Sequence, residues 1–179
     1  MDKKQRLAEI LKNKSILRGS FTLASGKESD YYIDGRLTTL DSAGLKLIGE
    51  IFLDEIQTDP EIATVGGPTM GADPIVGSVL TQAGDREIAM DGFLVRKEAK
   101  DHGTGKLIEG NLKEGAKVAV VEDVVTTGGS VLKAIYALEK AGAVISKVLV
   151  IVDREEGAEG KFKELGYEYF SIFKISDLL

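Results

Sequence analysis

The chain has 179 residues, a formal net charge of −6, 43% hydrophobic and 29% charged residues, and no cysteine. That describes a single globular domain over residues 1–179, able to bury about 70% of its unfolded surface, and it excludes disulfides and thiolate metal sites and argues against a nucleic-acid surface. No apolar run approaches the ~20 residues of a membrane span, and Met1-Asp2-Lys3-Lys4 leads into a polar helix rather than a signal peptide, so the expected location is the cytoplasm, away from any membrane.

Residues 2–13 predict an amphipathic helix, with Asp2 as N-cap and Leu7, Ile10 and Leu11 as its apolar stripe. Residues 20–27 and 29–36 alternate and carry Phe21, Tyr31 and Tyr32, which suggests two strands about a glycine turn. By pattern alone this is a surface hairpin. Residues 41–57 predict a second helix, buried through Leu45, Ile48, Phe52 and Ile56.

A strand at residues 62–66 runs into Gly67-Pro68-Thr69-Met70-Gly71-Ala72-Asp73-Pro74. Asp73 is the expected N-cap of the next helix and Pro74 its first residue, with Ile75, Val76, Val79 and Leu80 turned inward. Phe93-Leu94-Val95 ends another strand and opens the densest basic stretch, residues 96–106, which holds the one histidine, His102. Most such charge runs are solvated loops.

The most informative stretch is residues 118–130. Val118-Ala119-Val120-Val121 reads as a buried strand. Glu122 and Asp123 follow where it should end, then Val124-Val125-Thr126-Thr127-Gly128-Gly129-Ser130. A helix comes next, with Val131, Ile135 and Leu138 on one face and Ala134 and Ala141 beside them. A helix start offers unpaired N–H groups and a positive dipole end to an anion. Gly128 and Gly129 let the backbone come close, and Thr126, Thr127 and Ser130 add hydroxyl donors. Such a loop suits a phosphate monoester. The carboxylates repel phosphate, but suit the hydroxyls of an attached sugar, a divalent cation or a developing positive charge. Phosphate on the loop and sugar on the acids describe a ribose 5-phosphate. A strand-to-helix turn of an ordinary α/β domain would carry a similar pattern. Neither Gly-x-x-x-x-Gly-Lys-Ser/Thr nor Gly-x-Gly-x-x-Gly is present.

Gly142 is the expected residue just past that helix. Residues 146–152 read as a strand, followed by Asp153-Arg154-Glu155-Glu156-Gly157; residues 162–165 lie on a last helix and 167–173 on a last strand. The alternation predicts an α/β fold: a mostly parallel central sheet with helices on both faces, plus a small N-terminal hood from residues 1–40.

Residues 118–130 resemble the phosphoribosyl pyrophosphate signature of the type I phosphoribosyltransferases, and Arg96-Lys97-x-x-Lys100-x-His102 resembles the loop of the orotate phosphoribosyltransferases among them. The resemblance spans nearly the whole chain. It implies transfer of ribose 5-phosphate from 5-phosphoribosyl 1-pyrophosphate to orotate, giving orotidine 5-monophosphate and pyrophosphate. It implies magnesium (Mg2+), bound mainly through substrate without a dedicated protein ligand, and a homodimer in which loop 96–106 completes the neighbouring site. It assigns Arg96, Lys97, Lys100, His102, Glu122, Asp123, Val124, Val125, Thr126, Thr127, Gly128, Gly129 and Ser130 to the donor, and Thr126, Arg154, Tyr31 and Tyr32 to orotate. Lys100, His102, Asp123 and Glu122 carry the chemistry. Two positions depart from the family pattern: Ala24 and Gly71 stand where many members have lysine, and Lys27 is a candidate replacement. Other readings on the same fold are purine or uracil salvage, or a non-catalytic nucleotide-sensing regulator.

Overall fold

The computed structural model describes residues 1–22, 28–98 and 106–179. Helix α1 (Lys3–Lys14) starts with a capping box: the Asp2 carboxylate accepts from Gln5 N at 2.7 Å, and the Gln5 side chain accepts from Asp2 N at 3.1 Å. Strands β1 (Ile16–Thr22) and β2 (Glu28–Ile33) pair antiparallel from Ile16↔Ile33 to Thr22↔Glu28 and form the hood. β2 ends before Asp34 because that carboxylate turns the chain, taking Arg36 N at 3.1 Å and Arg36 Nε at 2.9 Å. A one-turn helix that the sequence did not announce, α2 (Arg36–Thr39), follows. Helix α3 (Ser42–Ile56) is capped by Asp41 and buries Ile48, Phe52 and Ile56 completely.

The large sheet takes β3 (Thr64–Pro68), β4 (Asp91–Val95), β5 (Ile108–Gly110), β6 (Lys117–Val125), β7 (Val144–Asp153) and β8 (Glu168–Lys174), in the spatial order β5-β4-β3-β6-β7-β8. All neighbours are parallel except β4 and β5. β5, only three residues long, is the strand the sequence reading missed. Helix α4 (Ala72–Asp85) links β3 to β4, α5 (Gly129–Lys140) links β6 to β7, and α6 (Ala158–Glu164) links β7 to β8.

Alternate β6 residues feed two cores. Ala119 and Val121 pack with α1, α3 and α4, whereas Val118 and Val120 pack with α5 and α6. Helices therefore cover both faces, as the alternation of elements requires. α5 ends in a Schellman motif: Gly142, at φ 84°, donates to Glu139 O at 2.9 Å and Ala143 donates to Leu138 O at 3.0 Å. Ala141, expected beside the apolar face, is exposed because it lies past the last helical turn.

Several boundaries differ from the sequence reading: β1 starts at Ile16 and β2 ends at Ile33, β3 runs to Pro68, α6 starts at Ala158, and two further differences lie at the site. Asp73 is not the cap of α4: Gly71 is already helical in its dihedrals and Ala72 begins the helix. Asp73 thus sits in the first turn, where its charge complements the dipole, and Pro74 sits where an N–H would have no helical acceptor. β6 does not stop at Val121. It runs on to Val125 because β7 continues to pair with it as far as Val125↔Asp153.

Candidate active site

The site opens where two central strands part. β3 and β6 pair only from Thr64↔Val118 to Gly66↔Val120. Beyond that, β3 stays with β4 through Pro68↔Val95 and β6 stays with β7. The chain leaves β3 toward one edge of the sheet and leaves β6 toward the other. Open α/β sheets bind ligands in the crevice at such a switch point.

Glu122 and Asp123 stand at that crevice. Gly71, at the start of α4, approaches both: a Cβ there would collide with Glu122 Oε1 and lie 2.8 Å from Asp123 Oδ1. From the hood side, a Cβ on Gly35 would lie 2.8 Å from Asp123 Oδ2. Consecutive strand residues usually point apart, yet these two carboxylates meet. Glu122 is 8% exposed and Asp123 is half-buried. Burial first, then the charge and hydrogen bond of Asp123, push the Glu122 pKa up to about 9, against one opposing donor, Asp123 N at 3.1 Å. Asp73 adds to the rise from α4, and its Oδ2 is buried without a hydrogen-bond partner. Sequence reasoning gave Asp73 only a capping role; the Gly71-Ala72-Asp73 run after β3 was the available signal.

The loop after β6 is shaped for an anion. Thr126, Thr127, Gly129 and Ser130 are exposed, and Gly128 adopts a left-handed φ of 78°. A Cβ on Gly128 would lie 2.9 Å from the Phe162 ring, so glycine is required there twice over. Lys161 of α6 donates to Thr127 O at 3.0 Å and braces the loop from behind. Gly129 and Ser130 open α5 with their N–H groups facing outward from the helix end. Val124 is half-buried and Val125 buried; Val124 N donates to Asp123 Oδ1 at 2.7 Å, and Val125 O accepts from Arg154 N.

Arg154 follows β7, its N–H bonded to Val125 O at 2.9 Å. Its guanidinium lies over the Tyr31 ring, 5.5 Å from the centroid, and Nε is 3.3 Å from Glu156 Oε1 without hydrogen-bond alignment. The side chain is only 9% exposed, unlike a solvated surface pair. Tyr32 points to the other side of the hairpin and packs against Phe21 at 5.8 Å. The fold therefore brings Tyr31, not Tyr32, to the arginine.

Arg96 and Lys97 line a cavity of about 750 Å³ with Pro68, Gly129, Ser130 and Lys133. Lys100 and His102 lie outside the described residues, as do Ala24 and Lys27. Among the described residues, no group of three or more His, Cys, Asp or Glu side chains is arranged to hold a metal ion, and no helix is long and apolar enough to cross a membrane.

A parallel sheet split at an acid pair, beside a Gly-Thr loop that opens a helix, defines a phosphoribosyltransferase fold and site. The phosphoribosyl transferase domain family matches residues 37–174. The orotate phosphoribosyltransferase of Thermosynechococcus vestitus is 46% identical, with 99% of this chain and 93% of that protein covered. That of Thermococcus gammatolerans is 42% identical over 100% and 93%. The crystal structure of Mycobacterium tuberculosis orotate phosphoribosyltransferase in complex with 5-phospho-alpha-D-ribosyl 1-diphosphate superposes with a TM-score of 0.82, at 35% identity and 99% coverage of both chains. The chain belongs to the phosphoribosyltransferase family, and within it to the orotate phosphoribosyltransferases.

Proposed function

We infer that the protein transfers the ribose 5-phosphate group of 5-phosphoribosyl 1-pyrophosphate to orotate, releasing pyrophosphate, as a step of pyrimidine nucleotide synthesis in the cytoplasm. One observation carries the reading. The phosphate-type loop at Thr126–Ser130, the carboxylates of Glu122 and Asp123, and the buried cation of Arg154 all sit at the C-terminal ends of two paired strands, β6 and β7.

The roles follow from that order. The Thr126–Ser130 backbone and hydroxyls hold the 5-phosphate at the start of α5. Asp123, the more accessible acid, takes the ribose hydroxyls and faces the positive charge that develops at the anomeric carbon. Burial, then Asp123, favour the protonated form of Glu122, which keeps the pair from presenting two full negative charges to the phosphates. Arg154 pairs with the carboxylate of orotate, which a purine or uracil lacks, and Tyr31 supports its guanidinium. Arg96, Lys97, Lys100 and His102 surround the pyrophosphate and stabilise its departure, Lys100 most of all. Closure of their loop would exclude water from the donor.

Among the described residues no side-chain group is built to hold magnesium, so the ion would be held mainly by the donor's own pyrophosphate and ribose oxygens, with Asp123 beside the ribose hydroxyls. When bound, the ion neutralises charge on the leaving pyrophosphate. We place the active form as a homodimer in which loop 96–106 serves the neighbouring site. Leu40, 77% exposed, and Met70, 67% exposed, are the kind of apolar surface that a subunit interface covers.

Following orotate absorbance with donor and magnesium tests the function. Orotate should disappear, while uracil and adenine stay unconsumed. Consumption of either control with orotate untouched would assign the site to salvage.

A further inference from the structure

Helix α6 and strand β8 lie outside the crevice, yet they touch both substrate grips. Phe162 of α6 packs its ring under Gly128. The same ring stacks on Tyr169 of β8, centroids 5.5 Å apart and planes inclined by 11°. The Tyr169 hydroxyl then donates to Asp153 Oδ2 at 2.7 Å. Asp153 is 1% exposed, and its second oxygen accepts from Glu155 N at 2.7 Å. That bond closes a tight turn with Arg154 in the middle and Glu155 at a left-handed φ of 58°.

We propose that Tyr169 is a positioning residue that links the phosphate loop to the orotate arm, its ring supporting Gly128 through Phe162 and its hydroxyl fixing the Asp153 turn that aims Arg154. This rests on Thr126–Ser130 as the phosphate loop and Arg154 as the orotate contact. The geometry separates the two halves of one side chain. A buried carboxylate needs its donors, and one fewer loosens whatever the remaining bonds hold. Removing only the hydroxyl should disturb the Arg154 turn and leave the ring stack intact. Burial and the Asp153 bond raise the Tyr169 pKa further above its ordinary value, so the hydroxyl stays a donor throughout the working pH range.

Steady-state kinetics with each substrate varied test this. Tyr169→Phe should raise KM for orotate roughly fivefold and leave KM for the phosphoribosyl donor within about twofold. Phe162→Leu should do the reverse, and Tyr169→Leu should raise both. Asp153→Asn should reproduce Tyr169→Phe, which keeps the test available should Tyr169→Leu fail to fold. A general loss of packing would instead lower kcat and melting temperature without choosing a substrate. Arg154→Ala is the control. If it raises KM for orotate while Tyr169→Phe moves both constants alike or neither, the link is overturned and the site reading stands. If Arg154→Ala leaves orotate KM unchanged, the site reading fails and the link with it.

Discussion

Gly71 lies against the Glu122 carboxylate so closely that any side chain there would displace it, with Asp123 Oδ1 only 2.8 Å from the same point. Glycine at the cap of α4 therefore leaves room, in this chain, for the acid pair as it stands at the mouth of the crevice. Gly71→Ala should push the carboxylates aside and lower kcat roughly tenfold, the scale of a sub-ångström misplacement of reacting groups. Thermal melting should move little, since the far end of a flexible side chain does the yielding. Turnover unchanged in the variant would separate the acid pair's position from catalysis.

Glu122 gives the protein a pH signature. Its pKa is raised from the usual 4.5 to about 9 by burial, then by Asp123. Between those values the folded state binds more protons than the unfolded state, so this group lowers stability as pH rises. Glu122→Gln removes the titration, and its unfolding free energy should be flatter from pH 5 to about 9 than that of the parent. Urea denaturation at a series of pH values measures both slopes; parallel slopes would show that Glu122 titrates normally.

Gly128 combines a left-handed backbone with the Phe162 ring beneath it. Gly128→Ala should destabilise the fold by roughly 1–2 kcal/mol from the backbone alone. It should also raise KM for the phosphoribosyl donor more than that for orotate, because the strain falls on the phosphate loop. Melting curves and substrate-varied kinetics read the two effects separately.

Arg154→Lys keeps the charge and loses the planar fork that fits a carboxylate. KM for orotate should rise by roughly 10- to 100-fold. Equal affinity in the lysine variant would mean that a point charge suffices there and that the Tyr31 contact at 5.5 Å does not orient it.

What the sequence made legible was contiguous in it. Residues 118–130 carry strand, acids, loop and helix in one run, so their chemistry could be reasoned locally. Hood and helices were legible through alternation and capping, as the Asp2 cap illustrates. What stayed hidden depends on distant packing. Nothing near Gly35 in sequence points to Asp123, and only the hood folding over the sheet brings them together. The extension of β6 to Val125 is set by β7 pairing, not by β6 composition. Asp73 obeys the capping pattern yet adds its charge to Glu122, because α4 begins at Ala72 with Gly71 as its cap, two residues earlier than the pattern predicts.

The central claim is that a carboxylate beside the phosphate loop bears on the anomeric carbon of the donor. The direct measurement is the rate of orotidine 5-monophosphate formation by Asp123→Asn, with melting and circular dichroism confirming the fold. kcat/KM should fall by roughly 100-fold or more, as expected when a charge facing a cationic transition state is removed. A variant that folds normally and turns over at close to the parent rate would contradict the claim.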